Sequence, residues 1–280
     1  MLTFPALIIS LILGFLLNPM NSHLDSLATS RILLLTAHPD DECLFFAPTV
    51  LSIQRRYPSS QIYSICMSVG NADGLGVVRK KELEASLDVL GIDQDRRWVL
   101  DHPELKDNIS VYWNPDVIAS VVQPYVLEHS ITTILTFDGK GISSHPNHIS
   151  LPNGISHLVA TFPSNASSPP PRVFTLITVP LVHKYIGVLS PLLAKLDLSV
   201  GDLLARAHIA GIGPPSIPVA ISDVAQYRTA LRAMQQHSSQ LVWFRWLYVS
   251  FSRYMWVNEW AELTLATPTS SQRSPTPLAI

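Results

Sequence analysis

Short, continuous apolar runs recur along the middle of the chain and alternate with longer stretches of helical character. A run that is apolar at nearly every position is typical of a strand buried on both faces of a parallel sheet. The sequence predicts five such strands, at 31–37, 61–69, 97–100, 132–137 and 173–179.

Between these strands the sequence predicts three helices, at 42–56, 77–90 and 113–128. The third helix has Asn114 at its N-cap and Pro115 at its first position, a combination that favours a helix start. Gly91 stands where it would end the second helix. Alternating strands and helices predict an α/β fold of Rossmann-like type, with a mostly parallel sheet and helices on both faces.

The first 24 residues contain no charged side chain, and residues 6–17 are nearly all Leu, Ile and Phe. A membrane-spanning helix needs about 20 apolar residues, so 1–24 is predicted to be an N-terminal hydrophobic anchor. The first basic residue, Arg31, follows the run, which favours an uncleaved anchor with the bulk of the chain on the cytoplasmic side. A cleaved signal peptide and a buried core helix remain alternatives.

One domain is predicted over 30–262. The residues beyond it, 265–280, are rich in Pro, Ser and Thr, which is typical of a disordered tail.

Composition narrows the class of protein. Only 14% of the 280 residues are charged, against about 25% in soluble domains, and this scarcity of charge suggests membrane contact. The 19 basic and 21 acidic residues leave a net charge of -2, so no basic excess exists to neutralise nucleic-acid phosphates. Two cysteines cannot form a disulfide framework, which favours a reducing compartment.

Chemically active side chains follow two of the predicted strands. The first strand leads into His-Pro-Asp-Asp-Glu at 38–42, and the fourth leads through Asp138 to His-Pro-Asn-His at 145–148. Ligands of doubly wound sheets bind at the carboxyl ends of the strands, so both loops are expected at one site. Two imidazoles and a carboxylate from these loops can bind a catalytic zinc, and a second carboxylate can act as general base. Each motif alone has another interpretation, because acidic residues also start helices and paired surface histidines are common.

Taken together, the two motifs resemble the LmbE-like (PIG-L) family of zinc-dependent de-N-acetylases. Further stretches similar to the eukaryotic branch of that family lie at 68–76 with Arg79, at 136–139 and at 237–255. The resemblance implies an enzyme of glycosylphosphatidylinositol (GPI) anchor synthesis. Its substrate would be the glycolipid N-acetylglucosaminyl-phosphatidylinositol, deacetylated at the cytoplasmic face of the endoplasmic reticulum.

The resemblance also implies a role for each matching residue. His38, Asp41 and His148 correspond to the zinc ligands, Asp40 to the general base, and a protonated His145 to the group that stabilises the oxyanion. One departure is Ser144, where the family usually has Gly.

Three more residues are expected to contact substrate. The resemblance places Arg79 close to the site, although an ion pair with Glu82 or Glu84 at the surface is the alternative. Asn71 and Asp73 follow the second predicted strand and are expected to bind substrate, unless their loop is only a turn.

Aromatic residues crowd into 241–256 with Arg245 and Arg253. Because Trp and Tyr favour the headgroup level of a membrane, this segment is predicted to be a second membrane contact whose arginines meet lipid phosphates. An ordinary core helix is the alternative. Cys43 is expected to be a buried apolar residue and His237 a structural one.

Two other functions remain open at this point. The chain could deacetylate a soluble N-acetylglucosaminyl conjugate, or it could be a non-catalytic, metal-stabilised subunit of a membrane complex. Asp40 argues against the second, because a structural metal site has no need of a general base.

Overall fold

The computed structural model describes residues 3–18, 20–206 and 217–264. Within these residues a single sheet contains eight strands. The strands are β1 (Met20–Ser22), β2 (Arg31–Thr36), β3 (Gln61–Cys66), β4 (Arg97–Val99), β5 (Thr133–Phe137), β6 (Arg172–Leu176), β7 (Val219–Ile221) and β8 (Val257–Glu262).

Helices cover the sheet and connect its strands. They are α1 (Thr3–Leu17), α2 (Ala47–Arg56), α3 (Gly76–Val89), α4 (Pro115–Glu128), α5 (Gly141–Ser144), α6 (Pro146–Ala160), α7 (Leu181–Lys184), α8 (Leu189–Arg206), α9 (Val224–Gln236) and α10 (Trp243–Phe251).

The strand order is β1-β7-β8-β6-β5-β2-β3-β4. From β6 to β4 all neighbours are parallel, whereas β8 is antiparallel to both β6 and β7, and β1 is antiparallel to β7. Every described residue of β2 after the first is buried, as are all of β5. The predicted α/β fold with a mostly parallel sheet is therefore confirmed.

The predicted helix boundaries rest on the expected local chemistry. The Asn114 side chain accepts a hydrogen bond from the Asp116 N–H, and Pro115 begins α4. Gly91 follows α3 with φ +71°, a left-handed conformation that glycine adopts without strain. The predicted helix at 42–56 differs in its first turn, because Glu42–Phe46 is π-helical before α2 begins.

The apolar runs extend past the strand ends. The strand predicted at 61–69 ends at Cys66 in the structure, and the strand predicted at 173–179 ends at Leu176. Met67 and Ser68 stay buried beyond β3, and residues 177–179 are half-buried beyond β6, so apolar character alone does not mark where pairing stops. The three strands at the antiparallel end of the sheet, β1, β7 and β8, escape prediction because β1 and β7 have only three residues and β8 carries the polar residues Asn258, Glu259 and Glu262.

The two termini differ in part from expectation. The helix within the predicted anchor 1–24 ends at Leu17, and Met20–Ser22 joins the sheet beside β7 instead of continuing it. None of the helices in the described ranges combines the length and the apolar character that a bilayer crossing requires. The predicted tail at 265–280 lies outside the described residues.

A close helix contact positions α6, which carries part of the site described below. α6 packs against α4, and a Cβ added at Gly154 of α6 would lie 2.4 Å from Cβ and Cγ2 of Ile118 on α4. The two backbones approach this closely only because residue 154 has no side chain.

We therefore expect Gly154→Ala to lower the free energy of unfolding by about 1–3 kcal/mol, because the added methyl group overpacks the contact. Thermal and denaturant unfolding measure the change. Gly139→Ala is the matched control, since a Cβ at Gly139 meets nothing within 4 Å. Equal stability of the two variants would contradict the described packing of α4 on α6.

Candidate active site

The carboxyl ends of β2 and β5 bring the two predicted motifs together. His38 Nδ1 lies 3.2 Å from His148 Nε2, and His148 Nε2 lies 3.3 Å from Asp41 Oδ1. All three side chains are buried. In tetrahedral zinc sites with bonds of about 2.0–2.1 Å, neighbouring ligand atoms are about 3.3 Å apart. The spacing of these donor atoms therefore fits a divalent metal.

Each of the two histidines has a hydrogen-bond acceptor beside the ring nitrogen that points away from the other histidine. His38 Nε2 lies 3.0 Å from Asn147 Oδ1 and 3.2 Å from a carboxylate oxygen of Asp107, so this nitrogen donates. His148 Nδ1 donates to the Gly141 carbonyl oxygen at 3.1 Å. The inner nitrogens, His38 Nδ1 and His148 Nε2, face each other and are the ring atoms available to a metal ion. Such outer partners are typical of metal-binding histidines.

Asp41 is held as a carboxylate. Its Oδ2 accepts hydrogen bonds from the backbone N–H groups of Ala37 and His38, at 3.0 and 2.8 Å. Burial alone would raise the pKa of Asp41, but His148 and His38 stabilise its charge and the net pKa lies below the ordinary value. Oδ1 remains directed at His148, so Asp41 can supply the anionic ligand of the set.

Asp40 lies beside this set in an unusual backbone conformation. Its φ is +101°, which is strained for a residue other than glycine. Its Oδ2 lies 3.2 Å from Nη2 of Arg245, and burial raises the pKa of Asp40 although the charge of Arg245 opposes that shift. A buried carboxyl group of raised pKa can both accept and return a proton.

A buried pair of charges holds the Asp40 backbone. Glu42 accepts a hydrogen bond from the Asp40 N–H at 3.0 Å, and its other oxygen lies 2.7 Å from His237 Nε2. Burial opposes both charges, yet each partner stabilises the other, so the pKa of Glu42 is lowered and that of His237 raised. His237 thus has the structural position expected of it. Cys43, which follows Glu42 in the sequence, is a buried thiol as expected.

His145 lies at the edge of the set, and its protonation differs from expectation. Its Nδ1 accepts a hydrogen bond from the Asn147 N–H at 3.2 Å. Burial, with the nearby His38 and His148, lowers the pKa of His145 to about 4, so the imidazole is neutral and carries its proton on Nε2. Ser144 before it has φ +61°, a conformation that glycine adopts more easily.

The nitrogens of His38, His145 and His148 also lie within 4.8 Å of one another, so His145 could complete a metal-binding group. A second buried group contains Glu42, Cys43 and His237. Hydrogen bonds already engage it, because the Cys43 thiol donates to the Asp40 carbonyl oxygen.

Arg79 is buried and holds the loop that carries the site. Its guanidinium donates to the carbonyl oxygens of Gly70 and Pro39, both at 2.9 Å, and lies 3.3 Å from Asp107. The expected alternative, a surface pair with Glu82 or Glu84, is wrong. Glu82 instead accepts hydrogen bonds from Ser238 and Ser239.

Asp107 is a site residue that the sequence analysis missed. It bridges Arg79 and His38, and these two partners lower the pKa of Asp107 although burial opposes them. No motif surrounds Asp107, so only its position beside His38 reveals its role.

These side chains line a cavity of about 730 Å³. One wall comes from the loops after β2 and β5, together with Asp73, Arg79 and Asp107. The opposite wall is largely apolar and comes from α10 and the segment before α8. Its residues are Tyr185, Phe244, Leu247, Tyr248 and Phe251.

The two predicted binding residues Asn71 and Asp73 differ in their relation to the cavity. Asp73 lines the cavity, whereas the Asn71 side chain accepts a hydrogen bond from the Gly76 N–H and is not among the cavity residues described.

Arg245 lines the cavity at Asp40, and Arg253 is buried against Glu259. The expectation that both arginines meet lipid phosphates is therefore not met by this arrangement. Its place within the aromatic run 241–256 was the available signal for Arg245.

Comparisons with known proteins agree on one family. The PIG-L family, described as GlcNAc-PI de-N-acetylase, matches residues 33–159. The chain is 40% identical to the N-acetylglucosaminyl-phosphatidylinositol de-N-acetylase of Bos taurus, with 82% of each chain covered. It is 34% identical to a probable enzyme of the same name from Schizosaccharomyces pombe, over 85% of this chain and 89% of the relative.

A solved structure shares the fold. The N,N'-diacetylchitobiose deacetylase of Pyrococcus horikoshii superposes with a TM-score of 0.56 at 15% identity, covering 86% of this chain and 88% of that one. At this identity the similarity supports the α/β architecture alone.

The donor geometry leads us to expect that His148→Ala lowers the bound divalent metal well below one ion per chain, because one of the two facing nitrogens is lost. Metal analysis of the purified protein measures this. His157→Ala is the matched control, since His157 lies on the same helix but its half-exposed side chain pairs with Asp116, away from His38 and Asp41. Unchanged metal content in His148→Ala would show that these residues do not bind metal.

The buried contacts of Arg79 lead us to expect that Arg79→Lys lowers the free energy of unfolding by about 1.5–3 kcal/mol, because a single ammonium group cannot satisfy all three partners. Denaturant unfolding measures this change. Arg172→Lys is the control, because its pair with Glu262 is half-exposed and the exchange should cost at most about 1 kcal/mol. A fully stable Arg79→Lys protein with weakened substrate use would instead assign Arg79 to substrate binding.

Proposed function

Because this chain belongs to the GlcNAc-PI de-N-acetylase (PIG-L) family, we propose that it removes the acetyl group from N-acetylglucosaminyl-phosphatidylinositol, in GPI anchor biosynthesis. The products are glucosaminyl-phosphatidylinositol and acetate. The observation that carries this proposal is 40% identity to a relative of that name over 82% of both chains. The arrangement of metal-binding and acid–base side chains in one cavity supports hydrolysis as the reaction class.

The metal in this proposal is zinc, held by His38, Asp41 and His148. His148 Nε2 lies 3.2 Å from His38 Nδ1 and 3.3 Å from Asp41 Oδ1, and these distances support this set. When bound, zinc supplies an acidified water and polarises the acetyl carbonyl group. His145 then belongs to the substrate side of the site and not to the ligand set.

Asp40 moves the protons. Its carboxylate accepts a proton from the attacking water and returns that proton to the amide nitrogen as the C–N bond breaks. Without this return the leaving group would be an amide anion, which is a poor leaving group. Arg245 and the Glu42 contact to the Asp40 backbone orient the carboxylate.

His145 stabilises the charge that develops on the acetyl oxygen. In its neutral form the ring donates one hydrogen bond from Nε2, because Nδ1 is occupied by the Asn147 N–H. A donor that is already in place needs no rearrangement as the charge forms. Asp73 at the cavity wall can bind sugar hydroxyl groups, and Asn71 is proposed to help through the shape of its loop.

The cavity supports an amphipathic substrate. Its volume of about 730 Å³ lies within the range of about 300–1,000 Å³ that is typical of small-molecule sites. One polar wall suits the sugar, and the apolar wall suits the part of a glycolipid near its acyl chains. A soluble conjugate, the alternative substrate class, has no acyl chains that would contact the apolar wall.

We place the reaction at the cytoplasmic face of the endoplasmic reticulum membrane, with α1 as the anchor. The support is the uncharged sequence of α1 together with its exposed Leu and Ile side chains.

Asp40→Asn is expected to lower kcat by about 10²–10⁴, the usual contribution of a general acid–base group, while the metal stays bound. Acetate release from N-acetylglucosaminyl-phosphatidylinositol measures kcat, and metal analysis measures occupancy. Asp41→Asn is the matched neighbour and should lose metal as well as activity. Near-normal turnover in Asp40→Asn would exclude Asp40 as the base.

The same assay with a soluble N-acetylglucosaminyl glycoside tests the substrate class. We expect the wild-type chain to prefer the glycolipid. Equal or better turnover of the soluble glycoside would favour the alternative function, and no acetate from either substrate would contradict the deacetylase assignment.

A further inference from the structure

Two segments that contribute to the cavity lining also carry exposed apolar side chains. We call the exposed apolar residues of 181–203 and 242–251 the apolar face. Clustered exposed apolar side chains often mark contact with another apolar surface.

Helix α10 has two apolar sides with different surroundings. Phe244, Leu247 and Phe251 line the cavity, whereas Trp243 and Trp246 are exposed and are not among the described cavity residues. Val249 is the buried residue of this helix. The alternative of an ordinary core helix is therefore wrong, and α10 forms both a wall of the cavity and part of its rim.

Helix α8 carries a regular stripe. Its exposed Leu and Val side chains follow alternating steps of four and three residues, so they share one side of the helix. They are Leu189, Leu193, Leu196, Val200 and Leu203. Exposed Asp197 and Asp202 border the stripe and place α8 at the margin of the apolar face.

Direct contacts join these elements. The Gly187 N–H, two residues before α8, donates to the carbonyl oxygen of Phe251 at the end of α10, at 2.7 Å. The rings of Tyr185 and Tyr248 lie 6.1 Å apart. At its other side α8 contacts α1, whose described Leu and Ile side chains are also exposed.

Fully exposed carboxylate, ammonium and guanidinium side chains are absent from the central part of the face, where Lys184 and Arg245 are half-buried. In 181–189 and 242–251, which are described throughout, no exposed residue is Asp, Glu, Lys or Arg. Exposed aromatic residues take their place, notably Tyr185, Trp243 and Trp246. Trp and Tyr are enriched where proteins meet the headgroup level of a bilayer.

We propose that the apolar face lies on a lipid bilayer and that the cavity opens into the membrane along α10. This inference rests on the proposed function, because it names the phase from which the substrate enters. Because α10 forms both a wall of the cavity and part of its rim, the kind of surface that covers α10 determines whether the cavity stays open. A protein seated on α10 would close the rim of the cavity, whereas a bilayer leaves it open to lipid.

The test uses the full chain and vesicles of phosphatidylcholine and phosphatidylinositol. Brominated phosphatidylcholine quenches tryptophan fluorescence on contact, and Trp243 and Trp246 are 76% and 44% exposed. Trp113, Trp256 and Trp260 are buried and should not respond. We expect quenching in the wild type, and its loss in Trp243→Phe/Trp246→Phe while vesicle binding is retained.

A second variant removes the apolar contact itself. Trp243→Ser/Trp246→Ser should weaken vesicle binding about tenfold or more, since two large side chains no longer enter the bilayer. Turnover of vesicle-embedded glycolipid should fall with it, whereas turnover of a water-soluble analogue should not change. Ile109→Ser/Tyr112→Ser is the matched control, because these residues are 77% and 63% exposed outside the apolar face.

Three results would overturn the proposal. The first is a wild-type chain whose fluorescence bromolipid does not quench, and the second is a Ser variant that binds vesicles as the wild type does. The third is self-association of the wild type that the Ser variant abolishes, without bromolipid quenching, which would assign the face to a second copy of the chain. Quenching without acetate release would instead contradict the proposed function and leave the membrane contact standing.

Discussion

The parallel pairing of β2 with β5 is the constraint on which the site depends. Parallel neighbours end at the same edge of the sheet, so the loops after Thr36 and Phe137 leave it side by side. About 100 residues separate the two loops in sequence, yet His38 Nδ1 and His148 Nε2 lie 3.2 Å apart. Phe137 at the end of β5 stacks on the His148 ring with 4.1 Å between centroids, which fixes the imidazole plane.

Buried charged groups then fix the loop after β2. Arg79 binds the Pro39 carbonyl oxygen, Glu42 binds the Asp40 N–H, and Asp107 lies against His38. Each is itself paired, since an unpaired buried charge would cost several kcal/mol. Together they hold Asp40 at φ +101°, a conformation that the local sequence would not adopt by itself.

The same architecture divides the cavity. The loops at the strand ends supply polar side chains to the cavity, because backbone groups and charged residues are exposed at this edge of the sheet. Helix α10 instead contributes its apolar side. Arg245 crosses from the apolar wall to Asp40 and so connects the two. Hydrolysis of a polar group on a lipid-borne molecule requires both properties within one cavity, and this is the basis of the proposed function and of the inferred membrane contact.

Much of this protein was already determined by the sequence. Apolar runs predicted the five parallel strands, and capping residues predicted the start of α4, because burial and backbone hydrogen bonding act over a few neighbouring positions. The two histidine motifs predicted where metal-binding side chains would meet, since parallel strands align their ends. Tertiary structure alone decided the neutral state of His145, the buried role of Arg79, and the contributions of Asp107 and Arg245. These depend on burial and on partners distant in sequence, such as Asp107 for Arg79 and Asp40 for Arg245, which are 28 and 205 residues away and which only folding brings within about 4 Å, so no local pattern encodes them.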